Sequence, residues 1–402
     1  MRLAGLITRF PSPLRSLAYR AGRGEGAFGA VLDALRFRPA QYDAPDLPSL
    51  GHQPVRFAIG PANSAGQGKQ WARALERRVD GVVATSFSGF GGGAFGQDVD
   101  VRIPVAIHRN GGRWHAQFER WLLTQTHVIW ESGRPLLGRR HGVDARREME
   151  FFQSRGIACG LLFHGSDIRA PRAHAEIEPL SPFVRHPAAT EALVFDAKRN
   201  ARLVAQVDAP VFVSTPDLLR WVPSATWCPV VVDQAAIDAA PARSVRNRRP
   251  VVVHAPSAAW LKGSDLVEPV LRRLHDEGVI EYRRLEATAH SDVISAYASA
   301  DVMLDQFALG IYGVAACEAM AVGTLVMSHV DVFTRSTTER LTGLELPIIE
   351  STPGSLEAQL RLFAESPSEY DELRDAGRHF VRSVHNGSLS ATALSGFLGV
   401  NS

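Results

Sequence analysis

The stretch from Asp301 to Ser328, DVMLDQFALGIYGVAACEAMAVGTLVMS, constrains the fold of this chain more than any other. Two short apolar runs, DVML and TLVM, flank a Gly-punctuated run of small residues that contains one acid, Glu318. Runs of this length bounded by glycine fit strands buried on both faces of a parallel sheet, and the segment between them fits the crossover helix. Gly310 and Gly313 fall where the loop enters that helix, so backbone N–H groups unshielded by a Cβ can meet an anion such as a pyrophosphate there. Glu318 follows about a turn and a half into the helix, among Ala315, Cys317, Ala319, Met320 and Ala321. A carboxylate in such company costs several kcal/mol unless it is hydrogen-bonded, which makes the sugar hydroxyls of a nucleotide one expected partner. A small-residue helix packed on its sheet with Glu318 at the rim is the alternative.

The same alternation runs through the chain. A first strand at 55–59 leads into the loop GPANSAGQG, Gly60 to Gly68, and then into the helical pattern KQWARALERRV. A wide glycine-rich turn after a strand can lie across a phosphate or sugar, so Gly60, Asn63, Ser64 and Gly66 are candidate ligand-loop residues; the spacing matches neither the dinucleotide nor the Walker fingerprint. Apolar runs at 81–84, 101–107, 127–130, 156–163, 203–205 and 211–214 predict further strands, with helices over 114–123 and 144–154. A second series opens at PVVVHAPSAAWLKGSD, with strands at 251–254, 279–283 and 346–349 and helices at 265–277, 292–299, 355–363 and 367–384. Such alternation means parallel sheets covered by helices on both faces.

At 402 residues the chain exceeds one typical core. The expected division is a basic extension over 1–50, an α/β domain over 51–235, an Ala-, Arg- and Pro-rich linker over 236–249, a second α/β domain over 250–388 and a tail or helix over 389–402. A formal net charge of +2 offers no global electrostatic case for nucleic acid. Cys159, Cys228 and Cys317 have no metal-ligand spacing and read as reduced core thiols of a cytoplasmic protein. No run approaches the roughly 18 apolar residues of a membrane span. In the extension, Arg2, Arg9, Arg15, Arg20, Arg23, Arg36 and Arg38 lie beside Leu3, Leu6, Ile7, Phe10, Leu14 and Leu17. Residues 1–40 therefore read either as a loosely packed basic arm or as a peripheral contact with an anionic membrane on the cytoplasmic side.

His164 and Asp167 close the run GIACGLLFHGSDIR. Ligands of open α/β sheets bind beyond the carboxyl ends of the strands, where His164 would project, and an acid three residues on could polarise it as a base or donor.

Two α/β halves with ligand-facing loops describe a cleft enzyme. Over about 55–390 the chain resembles the family 4 nucleotide-sugar glycosyltransferases, whose fold is GT-B, two Rossmann-like domains facing a cleft. The resemblance rests on GPANSAGQG with WARAL, FHGSDIR, STPDLL with VVVD, HAPSAAWLKGSD and, most specifically, EAMAVGTLVMS. It implies sugar transfer, with retention of configuration, from a nucleotide diphosphate donor to a lipid-linked, polysaccharide or small-molecule acceptor, without a metal or other cofactor. It also implies that Glu318 holds the donor ribose, that Lys262 neutralises donor phosphate with Gly313 at the nearby turn, and that His164 lies close to the transferred sugar, with Tyr312 and Ser257 in the donor loops. Two departures stand out. Relatives usually carry an acid eight residues before Glu318, where this chain has Gly310, and many carry an arginine shortly before the lysine, where it has Ala258, Ala259 and Trp260. Asp305 and Gln306, at the end of the preceding strand, are candidates to replace the missing acid. A non-catalytic GT-B protein that binds a nucleotide sugar or a partner transferase stays open, as does a GT-B epimerase.

Overall fold

The computed structural model describes residues 12–89, 98–241, 249–286 and 288–400. Its strands form two sheets. The first contains β1 (Val55–Gly60), β2 (Val82–Ser88), β3 (Val101–Arg102), β4 (His127–Glu131), β5 (Ala158–Phe163), β6 (Val211–Val213) and β7 (Thr226–Trp227), in the order β3-β2-β1-β4-β5-β6-β7. The second contains β8 (Val251–His254), β9 (Glu281–Arg284), β10 (Val302–Leu304), β11 (Leu325–Ser328) and β12 (Ile349–Glu350), in the order β12-β11-β10-β8-β9. Every strand pair is parallel. Central strands such as VVVH and LVMS are buried at every position because helices cover both faces, so their sequences read as unbroken apolar runs.

Each sheet reverses its winding once, between β1 and β4 in the first and between β8 and β10 in the second. These are the topological switch points, where the loops leaving adjacent strands diverge and open a crevice at the carboxyl ends. The loop after β1 and the end of β4 lie at one, and the loops after β8 and β10 at the other.

The chain crosses between the sheets more than once. The helix Asp371–Val384 packs on the helix Val314–Ala321, where Gly377 lets Met320 approach. Beyond it His385 donates from Nδ1 to the carbonyl of Val230 at 2.7 Å, and the helix Ser388–Leu398 returns to the first sheet. There Ala391, Leu394 and Leu398 join Phe57, Trp71 and Leu162 in one apolar cluster. Burial of each leucine contributes about 1.5–3 kcal/mol, so the expected tail is a structural part of the first half.

Several expectations change. The run at 101–107 is a two-residue strand followed by the helix Val105–Asn110, because Pro104 ends the strand. The run at 203–205 lies inside the helix Pro187–Gln206, where Leu203 is simply its buried face. The strand expected at 346–349 is shorter and later, at Ile349–Glu350. Residues 12–36 are not a loose arm: the helices Ser12–Gly22 and Gly26–Arg36 form a hairpin held by Arg139 on Asp33 at 3.0 Å and by Asn110 on the carbonyls of Asp33 and Phe37. Leu3, Leu6, Ile7 and Phe10 of the proposed stripe, residues 90–97 and part of the linker lie outside the described residues.

Candidate functional site

At the first switch point the organising group is Glu131, the last residue of β4 and fully buried. One carboxylate oxygen accepts from the backbone N–H groups of Ala62 (3.0 Å) and Asn63 (2.7 Å), and the other accepts from His164 Nε2 at 3.1 Å. A carboxylate in this position is stable only because all these donors converge on it. It ties the loop after β1 to the imidazole at the end of β5. Asn63 takes φ +45°, and its side-chain oxygen caps the amide of Lys69 at 3.1 Å, while Gly66 takes φ +74° and opens the helix Gln67–Arg78. The Gln67 amide then clasps Val231 on both its N–H and its carbonyl. Gly60 is fixed for a packing reason, since a Cβ there would lie 2.5 Å from the carbonyl of Phe87.

The expected His164–Asp167 pair does not form between side chains. Asp167 caps the backbone N–H of His164 at 3.1 Å and accepts from Ser132 Oγ at 2.5 Å, because the acid three residues on lies in the first turn of the helix Gly165–Ile168. The imidazole instead stacks on Trp71, with ring centroids 5.8 Å apart, and donates to Glu131. With Nε2–H committed to a carboxylate, Nδ1 carries the basic lone pair.

At the second switch point Lys262 Nζ meets Asp305 at 2.6 Å, and both side chains are largely buried. The expected free cation and substitute acid are thus one ion pair. Gln306 is a loop staple: it accepts from the N–H of Leu309 at 2.8 Å and donates to the carbonyl of His329 at 2.7 Å. Gly313 caps the helix Val314–Ala321, and a Cβ there would meet nothing within 4 Å. Ser257 is exposed in the loop after β8. Tyr312 is not a donor-loop residue but a core one, buried against Phe380 and His385 at 6.3 and 5.8 Å, because its position follows the inward turn of the loop.

Gly310 takes φ +68°, and a Cβ would lie 3.0 Å from Cβ of Asp331 and 3.3 Å from a carboxylate oxygen of Glu178. An acid at this position is excluded by backbone and by neighbours. Glu178 arrives from the first half and bonds His329 at 2.8 Å, whose other nitrogen bonds Glu350 at 2.6 Å. Burial opposes charge on His329, but hydrogen bonds to Glu178 and Glu350 outweigh it and raise its pKa to about 10. Arg220 adds a second tie to Asp331 at 2.6 Å, and Trp260, in the stretch where the sequence resemblance leads to the expectation of an arginine, meets His186 edge-on at 5.5 Å. These contacts hold the two halves together on this side.

Between the halves a cleft of about 360 Å³ is lined by Ala65, Gly66, Lys69 and Asp233 on one wall and by His290 and Glu318 on the other. His290 donates from Nε2 to Glu318 at 2.7 Å, and that bond, with the charge of Glu318 and Asp233, raises the His290 pKa above 6.5. Glu131 and His290 escaped the sequence reading. Glu131 had a usable signal, an acid ending the buried strand HVIWE; His290, the first residue of the helix His290–Ser299, had none. Among the described residues no three His, Cys, Asp or Glu side chains cluster in a metal-binding arrangement.

Two doubly wound sheets with a cleft between facing carboxyl ends define the GT-B fold. No protein-family model and no curated protein matches the chain. Solved structures do match. Sucrose-phosphate synthase from Thermosynechococcus elongatus is 14% identical, with a TM-score of 0.53 over 85% of this chain and 97% of that one. WaaG, a glycosyltransferase involved in lipopolysaccharide biosynthesis, is 14% identical with a TM-score of 0.51, over 86% of this chain and all of that one. Anabaena HepE in complex with UDP and glucose is 10% identical with a TM-score of 0.54, again over 86% of this chain and 100% of that one. At these identities the shared property is the fold. No helix of the described residues is long and apolar enough to cross a membrane.

Proposed function

We propose that the chain is a retaining glycosyltransferase of the family 4 type that moves a sugar from a nucleotide diphosphate donor to an acceptor held by the first half. The observation that carries this reading is the cleft in which the buried Glu318, bonded to the half-buried His290, faces the loop that Glu131 ties to His164. Glu318 is assigned to the donor ribose, with His290 orienting its carboxylate. Departure of a nucleoside diphosphate builds charge on a phosphate oxygen. Lys262 and the first-turn amides after Gly313 are assigned to that charge, where preorganised donors are worth most. The proposal calls for no metal ion or other cofactor. HepE, of similar fold, was solved with UDP-glucose, which supports a nucleotide-sugar donor. The hairpin of residues 12–36 exposes Phe28 and Leu35 at 60% and 73% beside its arginines, which supports a peripheral contact with an anionic membrane.

The Lys262–Asp305 pair and Gly310 favour one second reading, a nucleotide-sugar binder without turnover. A thermal-shift screen of UDP and GDP sugars followed by a hydrolysis and transfer assay, with and without chelator, separates the two. Glu318→Ala is expected to abolish turnover in a folded protein. Lys262 is best tested as Lys262→Ala with Asp305→Ala, because removing the lysine alone strands a buried carboxylate at about 3–5 kcal/mol. Full activity in both variants refutes the assignment.

A further inference from the structure

A large concavity lies away from the cleft, between the N-terminal hairpin and the helix Pro187–Gln206. It holds about 840 Å³ and adjoins a second cavity of about 380 Å³, the two sharing Tyr19, Pro135 and Arg199 as walls. The inner cavity reaches Ser132 and Asp167, at the carboxyl ends of β4 and β5 and beside His164. Together the adjoining cavities trace a path from the hairpin to the end of β4 at the first switch point, and each is within the size range of a small-molecule site.

The charge of the outer cavity is one-sided, whereas the inner one sets five arginines against four carboxylates. Eight cationic side chains line the outer cavity against three carboxylates. All three acids are already engaged, Glu191 by Arg15 at 3.7 Å, Glu25 by Arg20 at 3.0 Å and Asp144 by Arg147 at 3.7 Å. Arg172, Lys198 and Arg202 have no ion-pair partner among the described residues, and the latter two lie one turn apart on the helix wall. Deeper in, Arg109 and Arg139 each keep a buried Nε–H with no acceptor, as does the hydroxyl of Tyr19. Burial first, and the Arg23 guanidinium second, lower the pKa of Arg199, as expected where cations crowd without enough counter-charge. Guanidinium forks match the spacing of phosphoryl oxygens bidentately.

We propose that this path binds a phosphoryl group of the acceptor, so that the acceptor is a phosphorylated or diphosphorylated glycan or glycolipid whose hydroxyl is presented toward His164. This rests on the glycosyltransferase reading above for the word acceptor, but the anion site itself does not. The test is calorimetry with inorganic pyrophosphate on the full chain at fixed ionic strength, in saturating UDP to fill any donor site. Wild type is compared with the variant Arg172→Ala, Lys198→Ala, Arg202→Ala, whose exposed positions leave folding intact. Removing three exposed cation contacts should weaken pyrophosphate binding roughly tenfold, while the thermal shift by UDP stays unchanged. A parallel arm measures retention on phosphatidylcholine vesicles with and without phosphatidic acid. Loss of pyrophosphate binding alone assigns a soluble phosphoryl acceptor, and loss of both assigns a lipid phosphate. No pyrophosphate binding by wild type, or equal binding by both proteins, overturns the proposal. A missing UDP shift in wild type would count against the donor reading and leave the anion site standing.

Discussion

Gly310→Glu introduces the acid that the resemblance to family 4 transferases leads one to expect eight residues before Glu318, and here it should damage the protein. The left-handed φ of +68° costs a residue with a Cβ about 1–2 kcal/mol. The new side chain would also leave the backbone 3.0 Å from Asp331 and 3.3 Å from Glu178. Two bare carboxylates 4 Å apart would repel by about 4 kcal/mol at an effective dielectric of 20. Arg220 at 2.6 Å from Asp331 and His329 at 2.8 Å from Glu178 offset most of that, leaving about 1–2 kcal/mol. The expected loss is therefore about 2–4 kcal/mol for Gly310→Glu and about 1–2 for Gly310→Ala, which has the backbone strain and the crowded Cβ without the new charge. Urea unfolding of the three proteins, followed by tryptophan fluorescence, measures both. A Gly310→Glu protein as stable as wild type, or one that gains transfer activity, refutes the view that Glu178 and Asp331 have taken over this position.

Two further predictions follow from the same geometry. The His329 imidazolium has a folded pKa raised to about 10, so its stabilising effect is complete below the ordinary histidine value and is lost as pH rises through about 10. The stability gap between wild type and His329→Ala should narrow across that window on the alkaline side, and a constant gap would show that the charge is not what matters. If the hairpin meets a membrane through its apolar face, Leu17→Asp with Leu35→Asp should abolish retention on phosphatidylglycerol vesicles while thermal stability is unchanged, because both side chains are already in water.

How much of this was legible beforehand follows from what each residue depends on. The strands at 55–60, 127–131, 158–163, 251–254 and 325–328 announce themselves because a doubly covered parallel strand must be apolar throughout. Glu318 announces itself as a lone acid among alanines, and its place at the interdomain cleft agrees with that signal. Apolar runs mislead where one residue switches the period: Pro104 turns a strand into a helix start, and Leu203 belongs to a helical stripe rather than a strand.

Local pattern therefore determined the alternation of strand and helix, the two sheets and the loops at their switch points. Tertiary structure alone decided which charges meet. His164 prefers Glu131, 33 positions earlier, to Asp167; Lys262 is matched with Asp305; and Glu178 crosses from the other half to fill the space that Gly310 leaves. The physical reason is that a buried charge is assigned by whatever donor or acceptor the packed chain brings within about 3 Å, and sequence spacing carries no record of contacts made between separate elements.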